Sequence, residues 1–84
     1  MKIIWTKHAE DRQKEWEKKL GVSRKEVEDL VSNPEQIIPG DVGVLVAQTK
    51  TRKGLLRSPF VEIGMERKVL TVYWTSRIER YWKE

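Results

Sequence analysis

Apolar positions recur with one period up to about residue 35 and with another beyond it. In the first part, Ala9, Gln13, Trp16 and Leu20 follow one another at intervals of four, three and four. That spacing lays side chains along one face of a helix. Thr6 stands where an N-cap belongs. Gly21, directly after Leu20, is a stop signal, because glycine enters the left-handed conformation at little cost. Ser23 opens a second helix: "SRKE" is a capping box in which Glu26 can reach back to the Ser23 amide, and Val22 and Val27 hold the positions of a hydrophobic staple. Val27, Leu30 and Val31 form its buried stripe, and Asn33-Pro34 closes it. The pattern predicts a tight helical hairpin, preceded by a short strand at "KIIWT".

From Gln36 the period is two. "QII" reads as a short strand before a "PGD" turn. "GVLVAQTK", "LLRSPFVEI" and "KVLTVYWT" read as three main strands joined by "TRKG" and "GMER", with Gly54 and Gly64 as turn residues. Pro59 inside the second strand places it at an edge or beside a bulge. A bulge would also reconcile Leu56 with Val61 and Ile63, which strict alternation sets on different faces. In the last strand Leu70, Val72 and Trp74 point toward the helices, and Thr71, Tyr73 and Thr75 toward an open face. "SRIE" at 76 to 79 is a second capping box, starting a short terminal helix with Ile78 and Tyr81 or Trp82 inward. The expected fold class is α+β: an N-terminal strand, a two-helix hairpin on an antiparallel sheet of three to four strands, and a short C-terminal helix. Trp16, Leu20, Val27, Leu30, Val31, Leu70, Val72 and Trp74 are the expected core.

Composition narrows what such a domain can do. Its 84 residues suit one domain spanning 1–84. The absence of cysteine excludes disulfides and thiolate metal sites. "MKIIWTKHAE" lacks a signal-peptide core and no apolar run approaches a membrane span, so the expectation is a cytoplasmic protein without membrane contact. The net charge is +4 and uneven: residues 1–34 hold eight Lys/Arg against seven Asp/Glu, and residues 35–84 nine against six. "KTRKGLLR", residues 50 to 57, carries four cations and no acid. Lys50, Arg52 and Lys53 therefore suit a polyanion, of which nucleic acid is the commonest. The competing reading is a hairpin tip kept soluble by its charges.

Three constellations carry candidate chemistry. His8 and Arg12 lie one helical turn apart; an imidazole titrates near neutrality, and a guanidinium forks onto phosphate. Arg57 falls mid-strand, where propensity offers no reason for it, and would be a fixed cation on an open sheet face. Tyr73 with Arg77, Arg80 and Tyr81 could hydrogen-bond or stack on bases. No metal-ligand spacing, phosphate-binding glycine loop or nucleophile elbow is present, so neither a metal nor a cofactor is implied. Hydrolysis of RNA remains compatible with such a set, since the 2′-hydroxyl is itself the nucleophile and needs only a base, an acid and cations.

"TKHAEDR", "LGVSRKEVEDLVSNPEQI" and "KVLTVYW" resemble a small bacterial family of unknown function with a His-Ala...Arg helix, over roughly residues 6 to 75. In element order that family is similar to the RelE/ParE/BrnT-like toxins, metal-independent ribonucleases or gyrase poisons paired with an antitoxin. The resemblance implies helices layered on a sheet whose basic face meets RNA or the ribosome, and a small antitoxin-like protein as partner. It assigns His8 and Arg12 to the helix pattern and Arg57 to a strand cation, so that His8, Arg12, Arg57 and Tyr73 would form a catalytic group and Lys50, Arg52, Lys53, Arg77 and Arg80 would follow the RNA. Tyr73, Arg77 and Tyr81 are alternatives for the C-terminal catalytic residue. A non-catalytic RNA-binding or protein-interaction module of the same fold is the other reading.

Overall fold

The computed structural model describes residues 1–84. Its elements run β1 (Lys2–Trp5), α1 (Lys7–Leu20), α2 (Arg24–Ser32), β2 (Gln36–Pro39), β3 (Leu45–Thr51), β4 (Gly54–Ile63), β5 (Glu66–Val69), β6 (Tyr73–Thr75) and α3 (Ile78–Tyr81). The class is α+β. The sheet has six strands, more than the three to four expected, and it is mixed. β2, β3, β4 and β5 form an antiparallel meander, while β1 adds to the outer edge of β5 in parallel, Lys2 opposite Glu66 through Trp5 opposite Val69. No helix is long and apolar enough to cross a membrane.

The helix caps form as their residues dictate. Thr6 Oγ1 accepts from the Ala9 amide at 3.1 Å and donates to the Val69 carbonyl at 2.8 Å, so one hydroxyl starts α1 and fastens it to β5. Gly21 ends α1 at a φ of 72°, its amide donating to Glu17 O. Ser23 Oγ accepts from the Glu26 amide at 3.0 Å. The other half of that box is replaced: Glu26 turns its carboxylate across to Arg52, at 2.8 and 3.1 Å. Val22 and Val27 are fully buried, as a staple requires. Gln13, on the inward row of α1, donates to Val22 O at 2.9 Å and fixes the turn between the helices.

One core cluster lies between helices and sheet, joining Ala9, Val22, Val27, Leu30 and Val31 to Ala47, Leu56, Phe60, Val69 and Val72. Trp16, Leu20 and Trp74 pack against it half-buried. Leu70 does not belong to it, and the sheet register gives the reason. β3 pairs with β4 without interruption from Leu45–Phe60 to Thr51–Gly54. On its other side β4 pairs Phe60 with Val69 but Arg57 with Tyr73. Three steps along β4 therefore face four along the neighbouring chain, and the extra residue is a β-bulge between β5 and β6. The anticipated bulge lies opposite β4, not in it. Leu56, Ser58 and Phe60 alternate normally toward the helices, and Val61 and Ile63 point the other way. The bulge makes Val69 and Val72 face one side, which turns Leu70 to the other. Pro59 sits in a central strand at the change of partner: its carbonyl accepts from Leu70 N at 3.0 Å, and its missing amide proton falls at the bulge.

Two local readings are corrected. The "SRIE" box does not form: α3 begins one residue later than expected, after Arg77, and without a side-chain cap. The "TRKG" turn is closed by Arg52 and Lys53, both at positive φ (41° and 63°), and Gly54 is already the first residue of β4. Gly54 is needed for a different reason, because a Cβ there would overlap the Thr75 carbonyl and the Trp74 indole.

Candidate functional site

Alternation along β4 sends Leu56 into the core and Arg57 to the face away from the helices. That face is not open as expected. The C-terminal segment from Ile78 onward crosses it, and Arg57 is only 5% exposed. Its guanidinium donates from Nε to Gln48 Oε1 at 2.9 Å and from Nη1 to the Tyr73 hydroxyl. The Tyr81 ring stacks on it, centroid to Cζ 3.9 Å. Gln48, fully buried opposite Arg57 in β3, donates from Nε2 to Tyr81 O at 3.0 Å and so ties the covering segment to the strand beneath.

The charge of Arg57 has no protein counter-ion. Of the seven arginines, Arg12, Arg24, Arg52 and Arg67 each hold a carboxylate, with Glu15, Glu10 and Glu28, Glu26, and Glu62 respectively. Arg57, Arg77 and Arg80 hold none, and all three belong to β4 and the segment that covers it. A buried guanidinium facing only neutral partners is costly unless an anion completes it. Arg57 Nη2 makes no hydrogen bond to the protein, and no buried polar side-chain atom is left unpaired, so Nη2 reaches solvent. Lys50 Nζ lies 4.5 Å from the Trp82 ring, and Arg80 lies 5.4 Å from that of Tyr81. The result is a cation with one free donor edge, bordered by aromatic rings and further cations.

The structure brings Arg57 and Tyr73 together and leaves His8 and Arg12 apart from them. Ala9 and Gln13 are the buried residues of α1, so His8 and Arg12, each one position earlier, project into solvent on the helical side of the sheet. Arg12 is occupied by Glu15 at 2.9 Å. The three residues His8, Arg12 and Arg57 therefore do not converge on one phosphate-sized site; the sheet lies between. Of the hairpin cations, Arg52 is held by Glu26, whose hydrogen bond raises its pKa above the ordinary arginine value. Lys53 is exposed at the tip, and Lys50 belongs with Trp82. Arg77 is exposed at the start of α3. The other shifted group, Asp11, is kept below the usual carboxylate range by a hydrogen bond from Lys7, far from Arg57.

Gln36, Gln48 and Trp82 were not among the anticipated site residues. Gln48 is recoverable from the sequence: counting Arg52-Lys53 as a two-residue turn sets Gln48 opposite Arg57 by register alone. Elsewhere, a cleft of about 160 Å³ opens between α2 and the β3–β4 hairpin over Leu30 and Leu56. Its rim carboxylates, Glu26 and Asp29, are taken by Arg52 and Lys25. No group of three or more His, Asp or Glu side chains is placed to hold a metal. No family model, no curated protein and no solved structure matches the chain.

Proposed function

We propose that this domain binds RNA through the sheet face that carries Arg57, as a RelE-like module of the toxin type. The observation that carries the reading is the Arg57 guanidinium, buried, without a carboxylate, and presenting Nη2 to solvent. A phosphate oxygen supplies both the charge and the acceptor that this edge lacks, and charge-assisted hydrogen bonds are the strong ones. Lys50, Arg77 and Arg80 add cations on the same segments, and single-stranded RNA is held by such combinations of cations and aromatic rings. Residues 6 to 75 resemble a small bacterial family of unknown function whose element order is similar to that of the toxins, which supports RNA as the polyanion and a small antitoxin-like protein as regulator.

Binding is favoured over cleavage by the position of His8. The only imidazole lies on the far side of the sheet, leaving the phenols of Tyr73 and Tyr81 as the groups beside Arg57 suited to proton transfer. The deciding experiment is anisotropy with labelled single-stranded RNA across a salt series, in EDTA, with the RNA recovered and sized afterwards. Arg57→Gln is expected to weaken binding by about tenfold or more and to flatten the log–log salt slope by about 0.7. Arg12→Gln leaves both unchanged. Equal affinities for wild type and Arg57→Gln would end the assignment. Intact RNA identifies a binding module, and shortened RNA that persists in Tyr73→Phe removes Tyr73 from any catalytic role.

A further inference from the structure

The segment over Arg57 is held by hydrogen bonds to its backbone and by the half-buried rings of Tyr81 and Trp82. None of the residues of α3 is fully buried, and the helix has no side-chain cap at its start. Two glutamine amides fasten the end of α3 and the residues beyond it. Gln48 Nε2 donates to Tyr81 O at 3.0 Å; Gln36 Nε2 donates to Lys83 O, and Gln36 Oε1 accepts from Lys83 N at 3.1 Å. The amides are themselves joined, Gln48 Nε2 donating to Gln36 Oε1 at 2.7 Å. Each such bond nets only about 1 kcal/mol, so the segment can open at a small fraction of the cost of unfolding.

While closed, the segment sets the Tyr81 ring over Arg57, its centroid 3.9 Å from Cζ. An aromatic plane on a guanidinium plane is how an unstacked nucleobase meets an arginine. Tyr81 fills the place of a base, and the Nη2 edge that a phosphate would meet stays free. We infer that the C-terminal segment is a displaceable lid whose natural competitor is one unpaired nucleotide of single-stranded RNA. The base takes over the Arg57 face from Tyr81, and the phosphate meets Nη2. This rests on the reading of the face as an RNA surface and specifies its ligand: bases within a duplex are stacked on their neighbours and offer no free plane to exchange.

A binding-competent state that is only partly populated lowers apparent affinity by its population. Weakening the latch therefore strengthens binding although it removes hydrogen bonds. Gln36→Ala deletes the contacts to Lys83 and the bond from Gln48 Nε2, while Gln48 keeps its bonds to Arg57 and to Tyr81 O. It is expected to tighten binding of a short single strand by about fivefold to tenfold. Tyr81→Ala vacates the Arg57 face and is expected to tighten it as well. The Lys83 amide, bonded to Gln36 Oε1 at 3.1 Å, should exchange with deuterium faster when single-stranded RNA is bound, and not when a duplex is added.

Weaker binding by Tyr81→Ala would make the ring part of the RNA surface and overturn the lid. Unchanged affinity in Gln36→Ala, with the wild-type Lys83 amide exchanging no faster on single-stranded RNA, would overturn it too, as would equal affinities for duplex and single strand. If Arg57→Gln still abolishes binding in those cases, the RNA reading stands without the lid. If wild type and both latch variants bind no RNA, the RNA reading itself fails.

Discussion

The indole Nε1 of Trp16 donates to the carbonyl of Val72 at 3.1 Å, bridging 56 residues of sequence. Val72 lies in the bulged stretch between β5 and β6, where the strand ladder is broken, and α1 supplies the missing donor from outside the sheet. Trp16→Phe keeps an aromatic ring against the core but leaves that part-buried carbonyl without its partner. The expected cost is about 1 to 3 kcal/mol, measured by urea unfolding. A loss no larger than that of an exposed control such as Lys18→Ala would mean the bulge holds its shape without α1.

The β3–β4 turn gives a pair of opposite outcomes. Lys53 sits at a φ of 63°, a conformation costing an L-residue about 1 to 2 kcal/mol, part of which glycine returns as chain entropy. Lys53→Gly should raise stability by about 0.5 to 1 kcal/mol. One position later, Gly54→Ala should cost about 1 to 3 kcal/mol, because its methyl group would overlap Thr75 and Trp74. Thermal melts of both variants check the assignment of the turn residues.

Core membership is testable through two leucines. Leu30 is 4% exposed within the cluster, and Leu30→Ala should cost about 2 to 5 kcal/mol. Leu70, turned to the other face by the bulge, should cost less than half as much on the same substitution. Equal losses would place Leu70 back among the residues facing the helices.

The hairpin cations should separate in their effect on RNA. Lys53 is free and contributes to the salt dependence, so Lys53→Glu should flatten the slope by about 0.7. Arg52 is engaged with Glu26, and Arg52→Gln should change the slope by less. His8→Ala should alter neither RNA affinity nor melting temperature, since the side chain is exposed on the helical side of the sheet. Loss of affinity in His8→Ala would show that RNA reaches around to α1.

The legibility of each feature in the sequence depends on how local its cause is. Thr6, Gly21 and Ser23 act on amides or conformations within a few residues, so both ends of α1 and the start of α2 could be read directly. The same logic failed at Ser76, because α3 starts one residue later, with Arg77 in the N-cap position and no side-chain cap. Pro59 announced a bulge but not its strand, because a register break is shared by two segments and only their pairing shows which one carries the extra residue. Arg57 and Tyr73 came together as alternation in β4 and β6 implied. His8 and Arg12 did not join them. Their four-residue spacing defines a row on α1, but Ala9 and Gln13 occupy the inward row one residue along. The covering of Arg57 was not legible, since it depends on Gln36 and Gln48 capturing backbone groups of the terminal segment, for which no sequence pattern exists.

The parallel pairing of β1 with β5 sets an order of events during synthesis. Thr6 reaches its acceptor on Val69 across 63 residues, so β1 is made well before the strand it pairs with. The helical hairpin and the β2–β3–β4 meander can form from contacts close in sequence, whereas β1 waits until β5 has emerged. Closure across so long a loop slows that pairing. Throughout that interval β1 and the outer edge of β5 remain unpaired, and each is a strand edge that another nascent chain can borrow. Crowded translation would therefore favour the exchange of β1 between copies.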